Sequence, residues 1–189
     1  VGDVNTYAVF TDLFWQLSKS TGYAGLIIPT GLVSGFTYRA FLGELLGTKS
    51  LVAFYDFENE DLIFPHITNK VKFGLLTMAG RDVIIEQPWF TAHIRQPAEI
   101  SDLEKRYALT VDEIQAINPN TLNIPTFRWS KDAKVTATIH MAAPILIEKD
   151  GNTVVSSPWK ASMTTLFHMS GASEKFIDHA DVEDKISRR

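Results

Sequence analysis

The stretch from Tyr23 to Gly80 constrains the fold more than any other part of this 189-residue chain. It holds two short apolar runs, Tyr23-Ala24-Gly25-Leu26-Ile27-Ile28-Pro29 and Leu51-Val52-Ala53-Phe54-Tyr55-Asp56-Phe57, with an amphipathic helical run from Thr37 to Leu46 between them. Short, nearly continuous apolar runs rich in β-branched or aromatic residues suit strands buried on both faces. Strand–helix–strand is the minimal α/β unit. A third run, Val71 to Met78, follows after a loop too short for a helical crossover, so an antiparallel return is expected there. The pattern predicts an α/β fold and reads as the end of a doubly wound sheet. Pro29 cannot donate a ladder hydrogen bond and closes the first strand. Open α/β sheets bind ligands in the crevice beyond the carboxyl ends of their strands. That puts Pro29, Thr30 and Gly31 on a candidate functional rim, with an ordinary βα loop as the alternative.

Composition excludes several classes of function. The net charge of −4 gives no overall electrostatic attraction to nucleic acid or an anionic membrane, so DNA binding requires a separate basic face. The absence of cysteine removes disulfide frameworks, thiolate metal sites and thiol nucleophiles, and suits a reducing, cytoplasmic setting. No run reaches 18 apolar residues, so no membrane span is expected. Asp3, Asn5 and Thr6 stand where a signal peptide would carry basic residues. The histidines His66, His93, His140, His168 and His179 show no ligand spacing. Nothing resembles a nucleophile elbow. Asp56, Glu58, Glu60 and Asp61 could attract a hard cation, but their spacing matches no known metal loop, and a solvated acidic loop is the better reading.

Before the first strand, Asn5 or Asp3 can cap a helix over roughly 6–19, with Tyr7, Phe10, Leu13, Phe14 and Leu17 on one face. After Gly80, Val83-Ile84-Ile85 and Phe90 to Ile94 read as further strands, and Ser101 opens a short helix. Thr110-Val111-Asp112-Glu113 is a capping box. A helix over about 130–141 has Ser130 as its cap, and Pro144 to Glu148 pairs with Thr153-Val154-Val155 across an Asp150-Gly151 turn. The tail from Ser173 alternates charges, ends Lys185, Ser187, Arg188, Arg189, and reads as a solvated helix or frayed end. The nearest feature to a boundary lies at 80–100.

Four stretches in this order resemble one family: Gly2-Asp3-Val4-Asn5-Thr6-Tyr7-Ala8-Val9-Phe10, Gly25-Leu26-Ile27-Ile28-Pro29-Thr30-Gly31, Tyr55-Asp56-Phe57-Glu58-Asn59 and Lys72-Phe73-Gly74-Leu75-Leu76-Thr77. The family is the large adenine-specific DNA methyltransferases of restriction–modification and phage-exclusion systems. The likeness continues through Ile117-Asn118-Pro119-Asn120-Thr121, Pro125-Thr126-Phe127-Arg128, Trp159 and Phe167-His168-Met169, to about Phe176. It implies a Rossmann-like methyltransferase sheet that transfers a methyl group from S-adenosylmethionine to the exocyclic amino group of adenine in DNA.

Two of the family's motifs are absent, the Gly-rich cofactor turn and the Asn-Pro-Pro-aromatic motif; the only Asn-Pro is Asn118-Pro119, followed by Asn120. The resemblance therefore implies the carboxyl-side part of the catalytic domain. Residues 1–80 would supply the fifth to seventh strands, and residues 81–189 an α+β extension leading toward the DNA-recognition region. On this reading the chain alone binds no S-adenosylmethionine. Its partners are DNA and the remaining part of the methyltransferase chain, and its cut sheet is covered either by a homodimer or by its own first helix through Phe10, Phe14 and Leu17. Phe64-Pro65-His66 resembles the segment that carries a base-stacking aromatic, which makes Phe64 the candidate for holding an extruded adenine. The alternative is that Phe64 packs under its loop. A different class remains open, a non-catalytic interaction module that keeps the fold. Tyr107 to Asn120 also resembles the second half of a peptidoglycan-binding LysM module, without that module's first half.

Overall fold

A computed structural model describes residues 5–151, 153–162, 164 and 166–176. The chain runs α1 (Thr6–Leu17), β1 (Tyr23–Pro29), α2 (Gly31–Ser34), α3 (Arg39–Gly47), β2 (Leu51–Glu58), β3 (Lys72–Ala79), β4 (Trp89–Ile94), β5 (Tyr107–Ala108), α4 (Val111–Ile117), α5 (Ser130–Ala142), β6 (Glu148–Asp150) and β7 (Thr153–Ser156). The fold is mixed α/β. A five-stranded sheet has the order β1-β3-β2-β4-β5, and β6 and β7 form a small second sheet. The expected antiparallel return is present: β3 lies antiparallel between β1 and β2 and pairs with both. β4 then lies parallel to β2, and β5 antiparallel to β4. Strands from both sides of residue 80 thus share one sheet. No helix among the described residues is long and apolar enough to cross a membrane.

Burial corrects the reading of β1. β2 is central and buried along its length, whereas β1 is an edge strand with Tyr23 60% and Ile27 62% exposed. Alternate residues of a strand face opposite sides. Ala24, Leu26 and Ile28 face the main core, together with Trp15, Leu42, Leu45, Phe54, Leu76 and Met78. The opposite side carries only a small cluster of Phe57, Phe73 and Ile94 near one end of the sheet. An apolar run alone does not tell an edge from a centre, because position in the sheet is set by pairing.

The first helix is also turned from its expected face. Thr11 and Trp15 are its buried residues, and Tyr7 and Ala8 pack against the core. Phe10 (53% exposed), Phe14 (45%) and Leu17 (72%) point away. Trp15 decides this: its Nε1–H donates to the Ala79 carbonyl at 2.8 Å, and its ring meets Phe41 edge-on. A buried indole needs that partner, and no rotation of the helix satisfies both stripes. Asn5 caps the helix through its backbone carbonyl, while its side chain donates to Tyr38 Oη at 2.8 Å.

Smaller departures have local causes. The helical run expected over 37–46 opens as the 3₁₀ turn Phe36–Tyr38 and continues as α3, and the separate short helix α2 precedes it, with Gly35 packed against the Gly31 carbonyl. Residues 83–85 are not a strand. Ser101 ends a 3₁₀ turn instead of opening a helix. Trp129, not Ser130, is the cap of α5, and the Ser130 N–H donates to the Glu104 carbonyl at 2.7 Å. The capping box at Thr110 and Glu113 is formed in both directions. The hairpin's first arm is Glu148–Asp150 and not the expected 144–148, of which only Glu148 is in a strand; Asp150 pairs with Thr153, and Gly151 takes a φ of 57°. Residues 107–120 are no separate module, since β5 extends the main sheet and Ile114 lies in the main core. Of the tail from Ser173, only the 3₁₀ turn Ser173–Lys175 and Phe176 fall within the described residues.

Candidate functional site

The three parallel strands β1, β2 and β4 all end on the same rim of the sheet, where β3 begins. Pro29, Thr30 and Gly31 lie there, with Asp56, Glu58 and Asn59 of the second strand, Lys72 of the third and His93 of the fourth. The sheet's alternation splits them into two groups. Asp56 shares its face with Phe54 and the main core, whereas Phe57 and Phe73 face the small cluster.

On the first face, Thr30 Oγ1 donates to Asp56 Oδ1 at 2.7 Å. Asp56 is 2% exposed, and burial raises its pKa above the ordinary carboxylate value, partly offset by the Thr30 hydrogen bond. Beside it, Glu58 accepts from Lys72 Nζ at 2.8 Å, lies 3.1 Å from His93 Nδ1, and has Arg95 Nε at 3.9 Å. The Lys72 bond, reinforced by His93, pulls the Glu58 carboxyl down to about 2. The acidic loop expected over 56–61 is thus mostly not a loop. Asp56 and Glu58 are strand residues, buried or ion-paired, while Glu60 pairs with Arg95 and Asp61 accepts from Gln96. Among the described residues no three metal-ligating side chains come together.

His93 reaches Glu58 because β4 is irregular. Tyr55 pairs with Thr91 and Phe57 with Ile94, so the single residue Asp56 faces two, Ala92 and His93. Such bulges are rare between parallel strands and re-aim side chains. His93 occupies the left-handed region at φ 57°, an uncommon and costly conformation for a non-glycine residue that persists only when its surroundings hold it. Sequence spacing carried no sign of this, since the partners are 35 residues apart.

On the second face, Phe64 and Pro29 line one open, largely apolar cleft of about 200 Å³, together with Ile27, Asn59, Ile67 and Phe73. Thr30 and Gly31 do not line it; Gly31 sits beside Tyr7 Oη instead. The half-buried Phe64 ring meets Phe73 edge-on with centroids 4.9 Å apart, and Phe73 stacks on Phe57 at 5.0 Å. The loop that carries Phe64 is held by one residue. Asn59 is fully buried; its Nδ2 donates to the Phe64 and Ile67 carbonyls at 3.1 Å each, and its Oδ1 accepts from the Phe64 N–H at 2.9 Å. Sequence reasoning passed over Asn59 as a site residue. An Asn five residues before a Pro-containing aromatic segment was the available signal, because Asx side chains hydrogen-bond nearby backbone.

No protein-family model matches the sequence, and no curated protein matches it. Among solved structures the chain is similar to the type IIG restriction endonuclease BpuSI, at 15% identity and a TM-score of 0.38. The match covers 74% of this chain and 16% of that one.

Proposed function

We propose that this chain is the carboxyl-side part of an adenine-specific DNA methyltransferase of the restriction–modification and phage-exclusion type. It would provide the fifth to seventh strands of the catalytic sheet and the extension toward the DNA-recognition region. The observation that carries the reading is the Phe64 cleft, in which an aromatic ring is braced by Phe73 and Phe57 and fixed by a buried asparagine at the rim where the parallel strands end. A base extruded from the duplex loses its stacking, and an aromatic face replaces it. In this role Phe64 stacks on the adenine, Asn59 fixes the loop, and Pro29 closes the opposite wall. The edge of β1, unpaired among the described residues, and its exposed side would offer pairing and burial to the remaining part of the methyltransferase chain.

S-adenosylmethionine would supply the methyl group in the complete protein. The Phe64 cleft does not fit it. The cleft of about 200 Å³ falls below the roughly 300–1,000 Å³ of small-molecule pockets, and the Thr30 hydroxyl is committed to Asp56. Calorimetric titration of this chain with micromolar S-adenosylmethionine is therefore expected to show no stoichiometric binding.

Phe64→Ala in the complete protein tests the base-stacking role. One base–aromatic stack is worth roughly 1–3 kcal/mol, so methylation slows about 10- to 100-fold, and a 2-aminopurine at the target position loses its flipping fluorescence. Cofactor affinity stays unchanged. A lowered melting temperature with both functions impaired together would identify Phe64 as a packing residue only. A complete protein that leaves adenine unmethylated would overturn the whole assignment. The second reading, a non-catalytic interaction module, is favoured by the exposed stripe of Phe10, Phe14 and Leu17 on α1.

A further inference from the structure

The cleft between β5 and α5, at the far edge of the sheet from β1, concentrates cations that form no ion pair among the described residues. It has a volume of about 510 Å³, and Trp89, Arg106, Glu113, Ser130, Lys131 and Lys134 line it. Among the described residues Arg39, Arg81 and Arg95 each pair with a carboxylate, and Arg106 and Arg128 do not. The Arg106 guanidinium lies 4.1 Å from the centroid of the Trp89 ring, and its Nε is buried without a hydrogen-bond partner. The stack follows from the ladder: Trp89 pairs with Ala108, so Arg106, two residues earlier, is its diagonal neighbour. Trp89 remains 44% exposed. Across the cleft, Lys131 and Lys134 are exposed and form no ion pair among the described residues. Three residues apart, they share one side of the 13-residue α5, at its positively polarised amino end. Glu113 lines the cleft with them and is engaged by the Thr110 N–H and hydroxyl in the capping box, while Glu104 borders Lys131 in the adjoining pocket and Asp132 lies in the same first turn of α5.

We propose that this cleft docks the phosphate backbone of DNA. The proposal takes its partner from the methyltransferase reading and rests on it. Net charge −4 makes DNA binding depend on a local basic face. Here Arg106, Lys131 and Lys134 supply one, beside a tryptophan that can accept a sugar or an unpaired base. Lysines at an exposed helix end act as point charges toward phosphates and carry no sequence information, so the cleft positions the duplex without reading it.

The test is fluorescence anisotropy of a labelled DNA duplex titrated with the full 189-residue chain at several salt concentrations. Each phosphate contact contributes about 0.9 to the slope of log affinity against log salt. The Lys131→Gln/Lys134→Gln pair is expected to flatten that slope by about 1.8, and Arg106→Gln by about 0.9. The two lysines are exposed and form no ion pair among the described residues, so their variants keep the wild-type melting temperature, which a parallel melt verifies. No binding by the wild-type chain at low salt, or an unchanged slope in the lysine pair, overturns the proposal. The same variants in the complete protein separate the two ideas. Adenine methylation with an unchanged KM for DNA would remove this surface and leave the methyltransferase reading standing. Weakened, salt-flattened binding by a complete protein that transfers no methyl group would do the reverse.

Discussion

Replacing Asn59 with alanine tests whether one buried amide organises the Phe64 loop. The side chain makes three hydrogen bonds of 3.1 Å or shorter, to Phe64 O, Ile67 O and Phe64 N, and a longer one of 3.5 Å to Thr68 O. At about 1 kcal/mol net for each of the shorter bonds, the loss is about 3 kcal/mol. For a chain of this size that lowers the melting temperature by about 6–12 °C. The backbone bond from Asn59 N to Val71 O survives, so β2 and β3 stay paired while residues 60–70 loosen. Thermal melting by circular dichroism reads the first effect, and limited proteolysis within 60–70 the second. Asn59→Asp sharpens the test. Aspartate retains the acceptor for the Phe64 N–H but turns a carboxylate oxygen toward two carbonyls, so at neutral pH it is at least as damaging as alanine, and it recovers on acidification. A loss under about 1 kcal/mol with unchanged proteolysis would refute the reasoning, because the loop would then be held by Phe64 and Phe73 packing alone.

Gly80→Ala should cost more than about 2 kcal/mol in urea denaturation, because a Cβ there would clash with the Lys19 and Ser20 carbonyl oxygens, which are backbone atoms. The ion pairs of Glu58 predict a pH signature. Its folded pKa of about 2 is depressed from 4.5, so its contribution is fully present above pH 4.5 and lost as pH falls toward 2. Glu58→Gln should therefore be less stable than wild type near neutrality and converge on it between those limits, as paired denaturation curves would record. Asp56 acts in the opposite sense: its pKa is raised by burial, so protonation favours the folded state and its ionisation costs stability as pH rises. The exposed stripe on α1 predicts self-association of the isolated chain; sedimentation should show a dimer that Phe10→Ser/Phe14→Ser dissociates while the melting temperature holds.

What the sequence determined by itself was local. Apolar runs set β1 to β3 almost to the residue, the short third connection implied the antiparallel return, and the Thr110 and Glu113 spacing specified a cap that closes as expected. Each of these depends on neighbours a few residues apart, where period and turn chemistry decide. The tertiary structure decided which face each element buries and which distant groups meet. Trp15 outcompeted the Phe10, Phe14 and Leu17 stripe because its indole found the Ala79 carbonyl 64 residues away. Asp56 and Glu58, of one acidic run with Glu60 and Asp61, lie on one face of β2 but differ in depth: Asp56 is buried beside Thr30, while Glu58 at the strand's end pairs with Lys72 and His93. The basic cleft joins Trp89 of β4 and Arg106, just before β5, to Lys131 and Lys134 of a later helix. Periodicity reports how a segment contacts water, but it carries no register between segments, and register is what builds a site.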